Sequence, residues 1–440
     1  MTIPLDRLYQ YIENIAKEVH GDVVIYHFFP YGSKKLEDLK VLHNIDWYTS
    51  MTLPVIICHD QEPLNFEYYE NYQCSDFAYA QLLEQYGYDK STNLKRNTIF
   101  DKSILLHSEK QSSEIDRYES LGLIPVYFWS HGFIARDWFR FANYTKQQKQ
   151  TNKTFLIYNR AWQGTREYRI KFVDFLCEYN LVNHCQTKFN SIDPDSFVHY
   201  EDHVFKNYKW QPKNNLSDIF ESNTALSNSS ADFNLKDYAS TDIEVVLETL
   251  FDESRIHLTE KSLRPIACEQ PFILAGAMGS LNYLREYGFK TFDSVWDESY
   301  DQIADPYERL HAIVKLMQEI ASWDSDTKNK KLKQAQKIAK FNKKYFFSNN
   351  FFNKINLELR TNLEQALIQL ESTNTSQVWL TRRKLLAQSS EIKNIITGKS
   401  TYPDVEKLST PMKETYFEKS QIIKVLHVAR KYYLRSLTNK

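Results

Sequence analysis

The stretch from Arg255 to Phe292, RIHLTEKSLRPIACEQPFILAGAMGSLNYLREYGFKTF, decides how the rest of the chain is read. Its apolar run Pro271-Phe272-Ile273-Leu274-Ala275 has the length of a short buried strand, and Gly276 and Gly279 after it mark a loop. Upstream, Thr259 is an N-cap residue type standing directly before Glu260 and Lys261, which places both in the first turn of a helix. Unbonded N–H groups and the positive end of the helix dipole favour anions there. A nucleoside diphosphate suits such a place: a carboxylate accepts from ribose hydroxyls, while Lys261 and Arg264 neutralise phosphates. Pro265 predicts a kink, because it removes a helix hydrogen bond. The alternative is an ordinary surface helix start carrying a Glu-Lys pair.

Toward the N-terminus the pattern repeats. Leu5 to Val19 predicts an amphipathic helix and Asp22 to Phe29 a buried strand. Leu53 to Cys58 predicts a second strand running into His59-Asp60-Gln61-Glu62-Pro63, and Ser103 to Leu106 a third running into His107-Ser108-Glu109-Lys110. Ser112 to Ser120 reads as a helix, and Leu123 to Trp129 as a fourth strand ending at Ser130-His131-Gly132. Strand, polar tip and helix in succession predict an α/β chain with a parallel, Rossmann-like sheet. Ligands of such sheets lie beyond the carboxyl ends of the strands. Glu62, with Asp60 and Glu109 as alternates, is therefore the candidate general base, and His59, His107 and His131 are candidate acceptor contacts. A metal site built from these three histidines is the competing possibility.

Asn143 to Lys153 has no apolar periodicity and reads as a linker. Beyond it, Thr154 to Tyr158 predicts a strand, followed by the basic, glycine-containing loop Asn159-Arg160-Ala161-Trp162-Gln163-Gly164-Thr165-Arg166 and a helix to Cys177. Arginine forks match phosphate oxygens, so Arg160 and Arg166 are candidate diphosphate contacts. Ion pairing of these arginines with Glu167 or Asp174 is the structural alternative. No G-x-G-x-x-G or Walker sequence is present, which disfavours NAD and P-loop chemistry. Asn190 to Tyr238 reads as loop or insertion, with Leu226 to Phe233 available to a donor base or sugar. Asp242 to Phe251 resumes regular structure, Asp301 to Trp323 predicts an amphipathic helix, and Lys328 to Asn353 a basic one.

The 440 residues are too many for one typical domain. The reading divides them into an acceptor domain over 1–145, a donor domain over 150–345 and a C-terminal helical segment with a basic face over 346–440. Five cysteines, Cys58, Cys74, Cys177, Cys185 and Cys268, lack metal-ligand spacing, so neither a zinc site nor a disulfide framework is expected. No long apolar run and no leader sequence is visible, which predicts a cytoplasmic chain without a membrane span. The net charge of −1 conceals an asymmetry. The segments 328–344 and 376–440 each carry +8, which leaves the remainder at −17. Basic faces of this kind suit a polyanion, or are simply solvated lysine-rich helices. On a helix from Pro411, Lys413, Lys424, Lys431 and Arg435 share one face, and the last three are candidate acceptor contacts.

The segment His257-Leu258-Thr259-Glu260-Lys261, with Leu263 and the Pro271-Phe272 strand after it, resembles the donor motif of the inverting fucosyltransferases, Tyr-x-Thr-Glu-Lys ahead of an apolar strand. The resemblance implies a GT-B fold, two Rossmann-like domains facing across a cleft. It also implies that Glu260 holds the donor ribose and Lys261 the phosphates, with His257 and Thr259 beside them. Glu62-Pro63 resembles the same family's base motif, and Asn159 and Arg166 resemble its further donor contacts. The longer string, through Leu281, Leu284-Arg285, Gly288-Phe289, Thr291-Phe292 and Asp297 to Asp301, is similar to bacteriophage glycosyltransferases that modify hydroxymethylcytosine in DNA.

Together these readings predict a metal-independent, inverting glycosyltransferase with a UDP- or GDP-linked sugar as co-substrate and no other cofactor. Its expected acceptor is double-stranded DNA bearing hydroxymethylcytosine, and for a phage-encoded chain the expected compartment is the host cytoplasm. The competing classes are a fucosyltransferase-like enzyme acting on a surface glycan and a non-catalytic nucleic-acid-binding protein on a degenerate transferase fold.

Overall fold

The computed structural model describes residues 2–21, 23–28, 54–59, 62–64, 104–120, 123–144, 149–220 and 234–373. They form an α/β chain that divides into two compact units, each with its own four-stranded, wholly parallel sheet. The division does not follow the sequence in two blocks. The first unit takes 6–108, 113–128 and everything from Leu357 on; the second takes 1–5, 109–112 and 129–356.

In the first unit, helix α1 (Leu5–Val19) buries Leu8, Tyr9, Ile12, Ile15 and Ala16, the stripe its helical period demands. Strands β1 (Val24–Phe28), β2 (Val55–His59), β3 (Ile104–His107) and β4 (Ile124–Tyr127) pair in sequence order, with helix α2 (Glu114–Ser120) joining the last two. All four residues of β3 are buried, the signature of a strand covered on both faces. Leu359, Leu363, Leu367 and Leu370, from the second half of the long helix named last below, belong to this unit's core.

The second unit begins with helix α3 (Ser130–Trp138) and continues through β5 (Lys153–Asn159), α4 (Tyr168–Glu178), β6 (Cys185–Phe189), α5 (Leu235–Ser240), β7 (Thr241–Leu247), α6 (Glu260–Ala267), β8 (Phe272–Ala275) and α7 (Ser280–Glu286). Three helices follow: α8 (Pro306–Ala321), α9 (Ser325–Phe346) and α10 (Asn349–Thr373). Asp305 caps α8 through Glu308 N at 3.0 Å with Pro306 at its start, and Asp324 caps α9 through Thr327 N at 2.9 Å. The expected helix over 328–353 is thus two helices, one ending at Phe346 and the next beginning at Asn349.

The sheet order β6-β5-β7-β8 positions the site. The chain leaves β5 to pair β6 on one side, then crosses back to lay β7 on the other. The carboxyl ends of β5 and β7 therefore flank a topological switch point, where open α/β sheets bind ligands. The stretch from Asn190 onward, expected to be loop, is tied down in its described part. Buried Glu167 accepts from His203 Nε2 at 2.8 Å and from Lys206 N at 3.0 Å, and Asp174 accepts from Asn214 N at 3.0 Å. Among the described residues no helix is long and apolar enough to cross a membrane, and no three His, Cys, Asp or Glu side chains are grouped to hold a metal ion.

Candidate functional site at the switch point

Arg169 locks the ends of β5 and β7 together. Its guanidinium donates to Ala161 O at 2.6 Å on one side and to Leu247 O and Glu248 O at 2.7 and 2.8 Å on the other. These bonds from Nη1 and Nη2 all go to carbonyls, the buried Nε has no partner, and burial lowers the pKa of the group. It builds the switch point.

The next residue past β7, Glu248, is fully buried and organises the start of α6. Its Oε1 accepts from Thr259 N at 3.1 Å and Ser262 N at 3.2 Å, and its Oε2 from Thr259 Oγ1 at 2.7 Å and Thr249 N at 3.2 Å. Thr259 caps the helix as expected, accepting from Lys261 N at 3.3 Å. The consequence differs from the expectation. The first-turn amides of Lys261 and Ser262 are spent on protein oxygens, and a buried carboxylate already answers the dipole. An anion here depends on side chains, not on a bare helix end.

Glu260 is 4% exposed. Lys261 Nζ donates to its Oε1 at 2.9 Å and lies 3.4 Å from Thr249 Oγ1. His131 Nε2 meets its Oε2 at 3.2 Å, and the His257 ring stands edge-on to His131 with centroids 5.5 Å apart. His131 was expected at a strand tip among acceptor contacts; it lies instead in the first turn of α3 and holds the motif glutamate. The two segments meet because Trp129, just before α3, donates from its indole to Leu258 O at 2.9 Å. Glu260 thus sits between two nitrogen-bearing side chains, Lys261 and His131, at the start of α6.

Arg264 lies away from it. Its guanidinium is buried on Glu244 at 2.6 Å, touches Tyr238 Oη at 3.1 Å and stacks over the Tyr158 ring at 4.5 Å. Burial is the largest single influence and lowers its pKa, but Glu244, Tyr238 and Tyr158 together outweigh it and leave the pKa raised. Arg264 holds α6 on β7, a role its position one helical turn past Lys261 does not reveal.

On the β5 side, Arg160 and Arg166 converge on the half-exposed carboxylate of Asp195, each at 3.3 Å. Neither pairs with Glu167 or Asp174. Asp193 shapes this loop by accepting from Trp162 N at 2.8 Å and Asp195 N at 3.0 Å, and Gly164 supplies the left-handed turn with φ of +67°. Asn159, at the end of β5, is fully buried; its Nδ2 donates to Arg169 O at 3.2 Å and its Oδ1 has no partner. With Asp193 and Asp195 against Arg160 and Arg166, the loop is charge-balanced, and its two arginines lie on the same sheet edge as Glu260.

Glu109 belongs to the second unit, buried and paired with Arg255 Nη1 at 3.0 Å. The adjacent Lys110 bonds Ile256 through both backbone groups, at 2.9 and 2.8 Å. A cleft of about 400 Å³ opens beside this bridge, lined by Lys110, Gln111, Asn282, Tyr283, Glu286 and Gln302 among others.

In the first unit, Glu62 is exposed just past β2, and His59 Nε2 binds Pro63 O at 3.2 Å, which folds the strand tip back on itself. Asp60, Lys413, Lys424, Lys431, Arg435 and Leu226 to Phe233 lie outside the described residues. His107 is buried against the edge of Tyr127, and burial pushes its pKa down to about 4. It is a neutral core histidine. An unfolded histidine titrates near ~6.5. Between that pH and about 4 the unfolded chain therefore binds a proton that the folded one refuses, and stability falls on acidification. At about 1.4 kcal/mol per unit, the loss is on the order of 3 kcal/mol. Urea midpoints at pH 7 and pH 4.5 should show a smaller acid loss for His107→Gln than for the native chain; equal losses would mean the imidazole is not held neutral.

No family model, curated protein or solved structure matches the chain.

Proposed function

We propose that the chain is a nucleotide-sugar-dependent glycosyltransferase of the GT-B kind, with its donor site in the second unit. The observation that supports the reading is the buried Glu260 carboxylate at the start of α6, held between Lys261 and His131 on the side of the switch point. A ribose diol is the ligand such a carboxylate selects, donating two hydrogen bonds. The diphosphate falls to Lys261 and the Arg160–Arg166 loop, and the charge-balanced cleft by Lys110 has room for a sugar.

The reaction is a single displacement. An acceptor hydroxyl forms a bond to the anomeric carbon as the bond to the diphosphate oxygen breaks. The electron pair leaves with the diphosphate, and the hydroxyl proton passes to a carboxylate, for which Glu62 is the assigned base. Lys261, Arg160 and Arg166 stabilise the departing charge. Inversion follows the fucosyltransferase resemblance. The proposed acceptor is hydroxymethylcytosine in duplex DNA, since a base in the stack must be reached or flipped by a protein that also grips phosphates.

Isothermal titration with UDP, GDP and their 2′-deoxy forms tests the donor site. Glu260→Ala and Lys261→Ala should each weaken nucleotide binding by about 1.5–3 kcal/mol, the worth of a charge-assisted hydrogen bond. Glu260→Ala should also erase the preference for ribose over deoxyribose. Folded variants that bind both forms as the native chain does would remove the assignment.

A further inference from the structure

Helix α9 carries eight lysines between Lys328 and Lys344 and no acid among them. The structure separates them into two groups. Lys328 is tied to Asp242 Oδ2 at 3.0 Å and Thr154 Oγ1 at 3.3 Å, Lys331 to the Val295 carbonyl, and Lys343 to Glu269 at 3.9 Å. These three fasten the helix to its own unit. The other five, Lys330, Lys333, Lys337, Lys340 and Lys344, are all exposed and enter no ion pair among the described residues. They recur at steps of three, four, three and four residues, which puts them in a single row.

The row runs along about 21 Å at 1.5 Å per residue. Along that length, one strand of a duplex presents about six phosphates at 3.4 Å each. Ala335, Ala339, Asn342 and Phe346 on the other side of α9 are buried. The helix thus has no free apolar face to insert into lipid, as a membrane-surface helix requires. Exposed Phe341 does not supply one, since Lys290 sits over its ring at 4.3 Å. Lysine is depleted from protein–protein interfaces, so five in a row argue against a protein partner.

We propose that this lysine row is a contact surface for the phosphate backbone of double-stranded nucleic acid. The row follows from the spacing and exposure alone; that the bound duplex is also the acceptor rests on the reading above. Phosphate contacts of this kind set register and orientation without reading sequence.

The test uses the full chain and an unmodified duplex of about 30 base pairs, with anisotropy followed across salt concentration. Each lysine contact contributes about 0.9 to the slope of log K against log salt. The variant Lys330→Gln/Lys337→Gln/Lys344→Gln should therefore lower the slope by about 2.7 and the affinity at 0.1 M salt by about 500-fold. UDP and GDP titrations on the same protein should not change. Lys328→Gln/Lys331→Gln, which removes tied lysines, should leave the slope as it was. A triple variant with the native slope overturns the surface, as does one that binds duplex normally but loses binding to phosphatidylserine vesicles. Nucleotide binding without duplex binding also overturns the surface and leaves the transferase reading standing. Duplex binding through the row without nucleotide binding supports the surface while removing that reading.

Discussion

Replacing Arg264 with methionine is expected to destabilise the second unit by about 3–5 kcal/mol, the usual consequence of stranding one member of a buried ion pair. The stranded group is Glu244, which lies on β7 with no exposure and keeps only Tyr238 Oη, at 2.6 Å, as a hydroxyl donor. The double change Arg264→Met/Glu244→Leu should recover most of that loss, because a well-packed apolar pair replaces the ionic one without an unpaired charge. Urea unfolding of the three proteins measures this. Nucleotide affinity, measured below the unfolding midpoint, should stay within twofold of native in the double variant. A stable Arg264→Met protein that has lost nucleotide binding tenfold or more would return Arg264 to the phosphate site and refute the structural role.

Glu62→Gln should lower turnover by roughly 10²–10⁴ with donor affinity unchanged, the effect of removing a general base. The glutamine keeps the shape and loses the proton acceptor. Glu109→Gln provides the contrast. Its carboxylate is buried on Arg255, so the substitution should lower stability through a broken buried pair more than it lowers turnover. Steady-state rates with a fixed nucleotide sugar distinguish the two. Native turnover in Glu62→Gln combined with a collapse in Glu109→Gln would transfer the role.

The local parts of this architecture were legible in the sequence. Helix α1 coincides with its predicted span, and β1 to β5 and β8 fall within a residue or two of the apolar runs that announced them, since burial on both faces writes itself as uninterrupted apolar sequence, whereas β6, CQTKF, carries no such run and was not read. The Thr259 cap was legible for the same reason: capping is decided within three residues. What could not be read is whatever depends on partners far along the chain. Glu248 sits inside an apolar-looking strand end, and nothing near it signals that it will take the amides of Thr259 and Ser262. His131 and Glu260 are separated by most of a domain and meet only through the packing that Trp129 fastens. Arg264 shows the opposite failure: its type and place suited phosphate, but Glu244, in a segment read only as regular structure, claimed it first.

The way the two units share the chain also bears on synthesis. Residues 129–356 complete the second unit apart from a few short segments already made, whereas the first unit, whose sheet is translated earlier, needs the buried leucines from Leu359 to Leu370. On the ribosome the usual N-to-C order of domain completion is therefore inverted. The earlier sheet must wait as an unfinished intermediate while the later one closes, and at about 5–20 residues per second the wait for the 240-odd residues after β4 is on the order of 10–50 s. During that interval the apolar surface later covered by α10 is open to chaperones or to another nascent chain. A truncation before Leu359 would leave it open permanently.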